Sequence, residues 1–355
     1  MDSPHDADVQ RRPRSRKSWR AGPSQSDVAA LAGVSAQTVS RVANDDPLVR
    51  EATRDRVRRA MDELDYVPNQ AAQALRTGAF GAIGVIAHQL HRTGESRTVE
   101  AVVEAARAEN HTVSLLDLEA PSPRAITAAA AELSHQAIDG LVIIRAELAD
   151  PSRLALPKGL PVVVFDAQFA GRLPAVTTDH AGGTRAAVHH LLDLGHRTVH
   201  HVAGPPASVP ASIRRQAWED ALRERAAPVN APFAGDWTPA AGRAAAAAVA
   251  RDRDVTAVFA ANDEMAAGLI MGLHERGIRV PEEVSIVGFD NIPLAPYLWP
   301  PLTTVNQDFA TIGKRLVEVL LAQIRGGAAP ADYLSIVDAE LVIRASTAPP
   351  RAVAS

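Results

Sequence analysis

Cysteine is absent from the 355 residues, which excludes disulfides and thiolate metal sites. No apolar run approaches the length of a membrane span, and the N-terminal segment has no apolar stretch of the signal-peptide kind, so a cytoplasmic protein is expected. The chain also lacks the G-x-S-x-G elbow of a hydrolase. The G-x-G-x-x-G that a dinucleotide-binding dehydrogenase carries after its first strand is missing too, because GAFGAIGV places its glycines before and within the strand. GPPASV is no phosphate cradle, since its prolines offer no N–H groups. Histidines are plentiful, but the neighbours His189 and His190, and His200 and His201, point apart rather than at one metal. These, with His88 and His91, read as surface or packing residues. No catalytic residue, metal site or cofactor is expected, and the protein does not read as an enzyme.

What is present, from Ser24 to Leu64, is a run of local signals for short helices. Ser24 and Asp27 have the spacing of a capping box, which predicts a helix from about Gln25 carrying Val28, Ala29 and Ala32 inward. Gly33 supplies the turn, and Ser35 caps a second helix bearing Val39 and Val42. Val57, Ala60, Met61 and Leu64 form the single apolar stripe of a third helix. Two short helices across a three-residue turn make a helix-turn-helix. A small helical bundle that binds nothing is the plain alternative.

Charge favours the DNA reading once it is counted locally. The chain as a whole carries −4, yet Val9 to Arg59 holds 12 Arg or Lys against 5 Asp or Glu. A basic head on an acidic body suits phosphate contacts at one end and predicts salt-sensitive binding. The run from Arg11 to Arg20 reads as a disordered basic tail. The start of the second helix should enter the major groove, with Ala36 and Gln37 at base edges and Arg41 a turn later. Gln suits adenine, Arg suits guanine, and Ala offers only a methyl for thymine. Ser24, Ser35, Thr38 and Asn44 are candidates for phosphate contacts.

Beyond Gly78 strands and helices alternate. Apolar runs at Ile83–Ala87, Val113–Leu116, Leu141–Ile144, Val162–Phe165, Val199–Ala203, Ala257–Ala260 and Ser285–Phe289 predict parallel sheets in a βαβ series, and 46% hydrophobic content permits a large core. Ligands of such sheets bind beyond the carboxyl ends of strands. Asp166, Asn262, Asp263 and Asp290 stand there, and Arg214 near the start of a following helix. Carboxylates, a carboxamide and a guanidinium together suit a polyol, and Trp237 suits the apolar face of a pyranose. Singly, each also fits a plain role: Asp290 as a helix cap, Asn262 with Glu264 as a helix start, Trp237 as core.

DVAALAGVSAQTVSRV from Asp27 to Val42 resembles the DNA-binding headpiece of the lactose/galactose repressor family, and YVPNQAAQAL from Tyr66 to Leu75 resembles that family's hinge helix. DLGHRTVHHVAGPPASV, GDWTPAAG, VFAANDEMAAG, VSIVGFDN and PPLTTVNQDFATIG extend the resemblance over about residues 24 to 345, with the ligand domain most similar to the lactose-repressor branch. The resemblance implies an all-α helix-turn-helix headpiece joined to an α/β, periplasmic-binding-protein-like effector domain of two parallel-sheet subdomains. The boundaries it suggests are a tail at 1–23, a headpiece at 24–66, a hinge at 67–78, an effector domain at 79–345 and a disordered tail at 346–355. Within the effector domain, one subdomain takes about 79–177 and 309–336, the other about 179–307 and 338–345.

It also implies roles. Asp166, Arg214, Trp237, Asn262 and Asp290 match sugar contacts, Gln307 and Phe309 match the cleft's crossover, and Asp263 matches a neighbour that supports the site. Asn69, Ala72, Gln73 and Leu75 match the hinge's minor-groove contacts, and a helix from Asn69 to Arg76 is too short to stand alone in water. Two departures stand out: Ala36 replaces a tyrosine of the lactose-repressor branch, implying a different operator, and Pro210 replaces a serine near the sugar. The implied function is a nucleoid-associated homodimer that represses sugar-utilisation genes and leaves a palindromic operator when a small sugar, a galactoside by the GDW motif, binds the cleft. A ligand-requiring repressor, or an activator with a non-galactoside effector, is the alternative. The tail from Ser346 has no leucine heptads, so no tetramerising coil is expected.

Overall fold

The structure is a computed structural model, and it describes residues 23–43, 46–67, 79–144, 153–327 and 329–351. The chain divides into two compact units, Met1–Ala79 and Phe80–Ser355.

The first unit holds three helices, α1 (Gln25–Ala32), α2 (Ala36–Ala43) and α3 (Glu51–Glu63). Ser24 Oγ accepts from the Asp27 amide while Asp27 accepts from the Ser24 amide, closing the capping box. Gly33 ends α1 at φ 64°, a left-handed turn that costs glycine nothing. Val28, Val39 and Val57, one from each helix, are fully buried and meet with Ala29, Ala32, Val42 and Ala60. Met61 and Leu64 pack on this cluster from the side, so the stripe read from the sequence is the stripe that faces inward.

The second unit is two α/β lobes. In the first lobe the strands are β1 (Ala82–His88), β2 (Thr112–Leu118), β3 (Gly140–Ile144), β4 (Val162–Phe165), β5 (Ala175–Thr178) and β10 (Leu334–Val337). They lie in the order β2-β1-β3-β4-β5-β10, parallel throughout. Helices α4 (Thr93–Ala108), α5 (Pro123–His135) and α10 (Phe309–Ile324) belong with this sheet, and two apolar clusters fill its faces.

The second lobe has β6 (His200–Val202), β7 (Ala257–Ala260), β8 (Ser285–Asp290), β9 (Thr303–Gln307) and β11 (Ala339–Val342), in the order β6-β7-β8-β9-β11. Here the all-parallel expectation fails at one edge, where β11 runs antiparallel to β9. Helices α6 (His180–Asp193), α7 (Val209–Glu224), α8 (Pro239–Val249) and α9 (Asp263–His274) cover it. Gly242 and Gly268 let α8 and α9 touch backbone to backbone, since a Cβ on either would collide with a carbonyl of the other segment. The chain passes between sheets after Thr178, after Gln307 and after Val337.

The expected disorder from Ser346 onward is overturned as far as residue 351. Ser346 is fully buried, accepting from the Thr303 amide and donating to the Ile286 carbonyl through its hydroxyl. His196 grips the same strap, with Nε2 3.0 Å from the Ala348 carbonyl, and His190 Nε2 lies 3.0 Å from Thr347 Oγ1. Proline and alanine looked like a loose end in sequence. Here they carry a backbone stitched to the lobe by groups that composition does not reveal.

Candidate DNA interface and ligand cleft

In the first unit α2 begins with a free-standing polar face. Ala36, Gln37 and Arg41 are exposed along it, and Gln25 Nε2 fixes its start by donating to the Ala36 carbonyl at 2.6 Å. Arg41 is held by Asp46 at 3.2 Å, so its guanidinium must leave, or share, that carboxylate to reach a base. Ser35 Oγ caps α2 through the Thr38 amide at 3.2 Å and lies 2.9 Å from Thr38 Oγ1. The Ser24 hydroxyl donates to Asp27 at 2.7 Å, and that bond holds the Asp27 carboxyl below its ordinary range. Both serines therefore serve the fold whatever else they touch. Asn44, Asn69, Ala72, Gln73 and Leu75 lie outside the described residues.

In the second unit a cavity of about 260 Å3 opens at the carboxyl ends of the strands. Arg214, Trp237, Asn262 and Asp290 line it, four of the five residues matched to sugar contacts. Arg214 sits in the second turn of α7 rather than at its first residue, and is 2% exposed. Its Nη1 donates to the Ala261 carbonyl, its Nη2 lies 3.3 Å from Asp290 Oδ1, and its Cζ stands 3.6 Å above the Phe289 ring. A buried cation so placed is held by a carboxylate, a carbonyl and an aromatic face at once.

Asp290 caps no helix. It ends β8 at φ 113°, and Asn291 follows at φ 54°, so two successive non-glycine residues adopt left-handed backbone. Such positions cost on the order of 1–3 kcal/mol each and cluster where a side chain must be aimed. Trp237, at φ 75°, is a third such residue, and it lines the cavity with Asp290. Its ring also packs on the lobe's core, and Arg214 Cζ is 5.6 Å from it. Asn262 lines the cavity and also fills its plain role at a helix start: Oδ1 caps α9 through the Met265 amide at 3.0 Å, while Nδ2 donates to the Trp237 carbonyl and to Glu264. Asp263 stays behind this wall, accepting from Thr304 Oγ1 and, at 2.8 Å, from the Ile292 amide. Burial, and then the charge of Asp290, raise its carboxyl well above the ordinary range.

The fifth, Asp166, and the two crossover residues lie elsewhere. Asp166 lines a separate recess of about 20 Å3 beside Thr177, His180 and Pro210, where it caps a short turn through the Gln168 amide. Gln307 stands behind Asp290, donating to it through Nε2 and accepting from Thr178 Oγ1 at 2.9 Å. Phe309 is in the core of the first lobe. Neither Gln307 nor Phe309 lines either cavity. The opposing wall comes from the turn after β1 and the start of α4, with His91, Arg92, Thr93, Gly94 and Glu95, none of which the sequence reading chose as a ligand contact. His91 had been set aside as a surface or packing residue. The rule about strand carboxyl ends applies to HQLHRTGE as well as to the positions selected. Asp236, Thr238, Pro239 and Glu264 complete the lining. No helix among the described residues is long and apolar enough to cross a membrane.

Residues 26–69 match the family described as "Bacterial regulatory proteins, lacI family", and residues 188–347 match a "Periplasmic binding protein-like domain". The lactose operon repressor of Escherichia coli (strain K12) is 34% identical over 337 residues, which cover 92% of this chain and 93% of that protein. The chain belongs to the lacI family of bacterial regulatory proteins.

Solved structures agree. The lac repressor dimer bound to operator and the anti-inducer ONPF superposes with a TM-score of 0.80 at 32% identity, covering 92% of this chain and all of that one. The transcriptional regulator CelR in complex with cellobiose gives 0.68 at 30% identity, covering 91% of this chain and 99% of that one. In lacI-family terms, the helical unit is the helix-turn-helix and the two-lobed unit is the periplasmic-binding-protein-like domain. These relatives are a repressor and a transcriptional regulator.

Proposed function

We propose that this lacI-family regulator is a repressor that holds a palindromic operator as a homodimer in the cytoplasm and releases it when a small sugar enters the 260 Å3 cavity. The observation that carries this reading is the buried Arg214–Asp290 pair, opening on a cavity that Asn262 and Trp237 also line. Guanidinium, carboxylate and carboxamide give neighbouring hydroxyls both donors and acceptors, and the indole gives a pyranose its apolar seat. Trp237 favours a galactoside. Asp166 and Gln307 join the site if the lobes close on the ligand, and Phe309 acts through the crossover.

On the DNA side, Gln37 and Arg41 read bases, Ala36 offers a methyl, and Ser24, Ser35, Thr38 and Asn44 meet phosphates. Residues 67–78 act as the hinge, with Asn69, Ala72, Gln73 and Leu75 in the minor groove. A helix that short forms only with a partner, so it is the weak point on which the ligand acts. Ligand coupling of about 1–3 kcal/mol gives roughly 5- to 150-fold weaker operator binding.

The second reading, a non-galactoside effector that promotes DNA binding, is favoured by Pro210 beside Asp166 and by a relative solved with cellobiose. A gel-shift titration of the full chain on its own upstream region, with and without a panel of galactosides and other sugars, separates the two. Release by a galactoside supports the first reading and tightening by another sugar the second. Indifference to every sugar refutes both.

A further inference from the structure

Resting on the reading of Arg41 as a base contact, we propose that Asp46 is a specificity-determining residue of the DNA interface. It holds the Arg41 guanidinium by its Nε side and leaves the two terminal amino groups as a fixed fork for one guanine. Asp46 touches no base itself and acts as a positioning residue through Arg41.

The fold fixes the carboxylate independently of Arg41's side chain. Its oxygens are divided: Oδ1 accepts from the Leu48 amide at 2.9 Å, while Oδ2 lies 3.2 Å from Arg41 Nε. An aspartate bonded to the amide two residues on fixes a turn by itself. The Asp46 backbone is tied as well, its amide donating to the Arg41 carbonyl at 3.0 Å and its carbonyl accepting from the Val49 amide at 3.1 Å. Arg54 Nη2, from α3, donates to the same carbonyl at 2.8 Å, and the Arg54 side chain is only 11% exposed. The turn that carries Asp46 is thus stitched to the third helix, and the carboxylate is a template to which Arg41 conforms.

An exposed ion pair of this kind adds little to stability, so its consequence is geometric. An arginine free on its long stem must lose rotamer freedom to meet a base, and phosphate oxygens compete for it. With Nε occupied by Asp46, the approach that remains is end-on. Nη1 and Nη2 make no hydrogen bond or ion pair among the described residues, and together they match the O6 and N7 of guanine. A carboxylate beside the reading helix also repels phosphates. Asp46 therefore sharpens the choice of base while weakening attraction to DNA at large, the two effects having opposite signs.

That opposition is the test. Duplexes selected by the full chain, variants of them carrying each base at the position Arg41 reads, and a scrambled duplex are titrated at one salt concentration by fluorescence anisotropy. The natural protein should prefer guanine at one position per half-site roughly 5- to 150-fold, and Arg41→Ala should abolish that preference. Asp46→Asn should lose at least about fivefold of it, leave the other positions unchanged, and bind the scrambled duplex as tightly or more so. Asparagine keeps the acceptor for the Leu48 amide, and Asp46→Ser, whose hydroxyl can take the same bond, is the second variant. Unchanged melting curves show that each is folded. In the Arg41→Ala background neither change should alter base preference further. Preference lost in Arg41→Ala but intact in both Asp46 variants would overturn the proposal and leave Arg41 as a base contact. Weakening at every position and on the scrambled duplex alike would overturn it too, by making Asp46 merely structural. If Arg41→Ala keeps the natural preference, the reading of Arg41 falls and this proposal with it.

Discussion

Replacing Arg214 with methionine takes a cation from beside a carboxylate that stays buried. Arg214 and Asp290 are 2% and 5% exposed, and the guanidinium also spans the Ala261 carbonyl and the Phe289 face. Methionine fits against the same aromatic surfaces, so the loss reports mainly the stranded charge. Breaking one side of a buried pair costs about 3–5 kcal/mol. In a unit of this size each kcal/mol moves the midpoint by about 2–4 °C, which predicts a fall of roughly 6–20 °C. Adding Asp290→Asn removes the stranded charge and should return at least about 2 kcal/mol, because replacing a whole buried pair is often close to neutral. Thermal unfolding of the full chain, followed by circular dichroism in the larger transition, measures both variants. A single variant that loses less than about 1 kcal/mol, or a double variant no more stable than the single, would refute the reasoning.

Two further outcomes are expected. His201 is fully buried between Trp218 and Phe259, Nδ1 bonds the Phe259 carbonyl at 2.9 Å, and burial first of all brings its pKa down to about 4. A base with a lowered folded pKa contributes stability that is complete above the unfolded value and drains away as pH falls from about 6.5 towards 4, about 3 kcal/mol in all. His201→Phe should flatten the fall in melting temperature between pH 7.5 and 5, and an unchanged slope would rule His201 out as its source. On the DNA side, Gln37→Ala should relax base preference at one position per half-site in a binding-site selection, at a cost of about 1–3 kcal/mol on the preferred sequence. Unaltered preference would remove Gln37 from the reading face.

The helical unit was legible because its signals are local: a serine and an aspartate three apart, a glycine at the turn, and valines at helical spacing. Seven strands were legible because they are short apolar runs. Four others were not, and their residues explain why. AVTT in β5 and TTVNQ in β9 bury Thr177, Thr178, Thr303 and Thr304, which look polar in sequence but fit a pleated interior when their hydroxyls are bonded. LSIV in β10 and AELV in β11 are short edge strands of opposite sheets separated by one residue, and only the fold reveals that reversal. At the site, single polar residues after strands were found where the strand was plainly apolar. His91 to Glu95 were passed over because a loop end and the first turn of α4 together, not one residue, make that wall. His180, whose Nδ1 lies 3.4 Å from Arg214 Nη2, depends on a long-range pairing that no spacing encodes.

The residues displaced from the cavity say how occupancy would be felt beyond it. Thr178 ends β5 and Gln307 ends β9, so each is the last residue before the chain crosses between lobes, and the two are bonded to each other. Each crossing then enters a helix at once through an aspartate cap: Asp179 accepts from the Gly182 amide at 2.8 Å, and Asp308 from the Thr311 amide at 3.0 Å. Capped this way, neither crossing has a slack loop to absorb a shift. Gln307 also donates to Asp290, so a ligand that takes Asp290 competes with the bond that links cavity to crossings. Phe309, first in α10, is buried in the first lobe's core, so the crossing after Gln307 is anchored in that lobe by its very next helix.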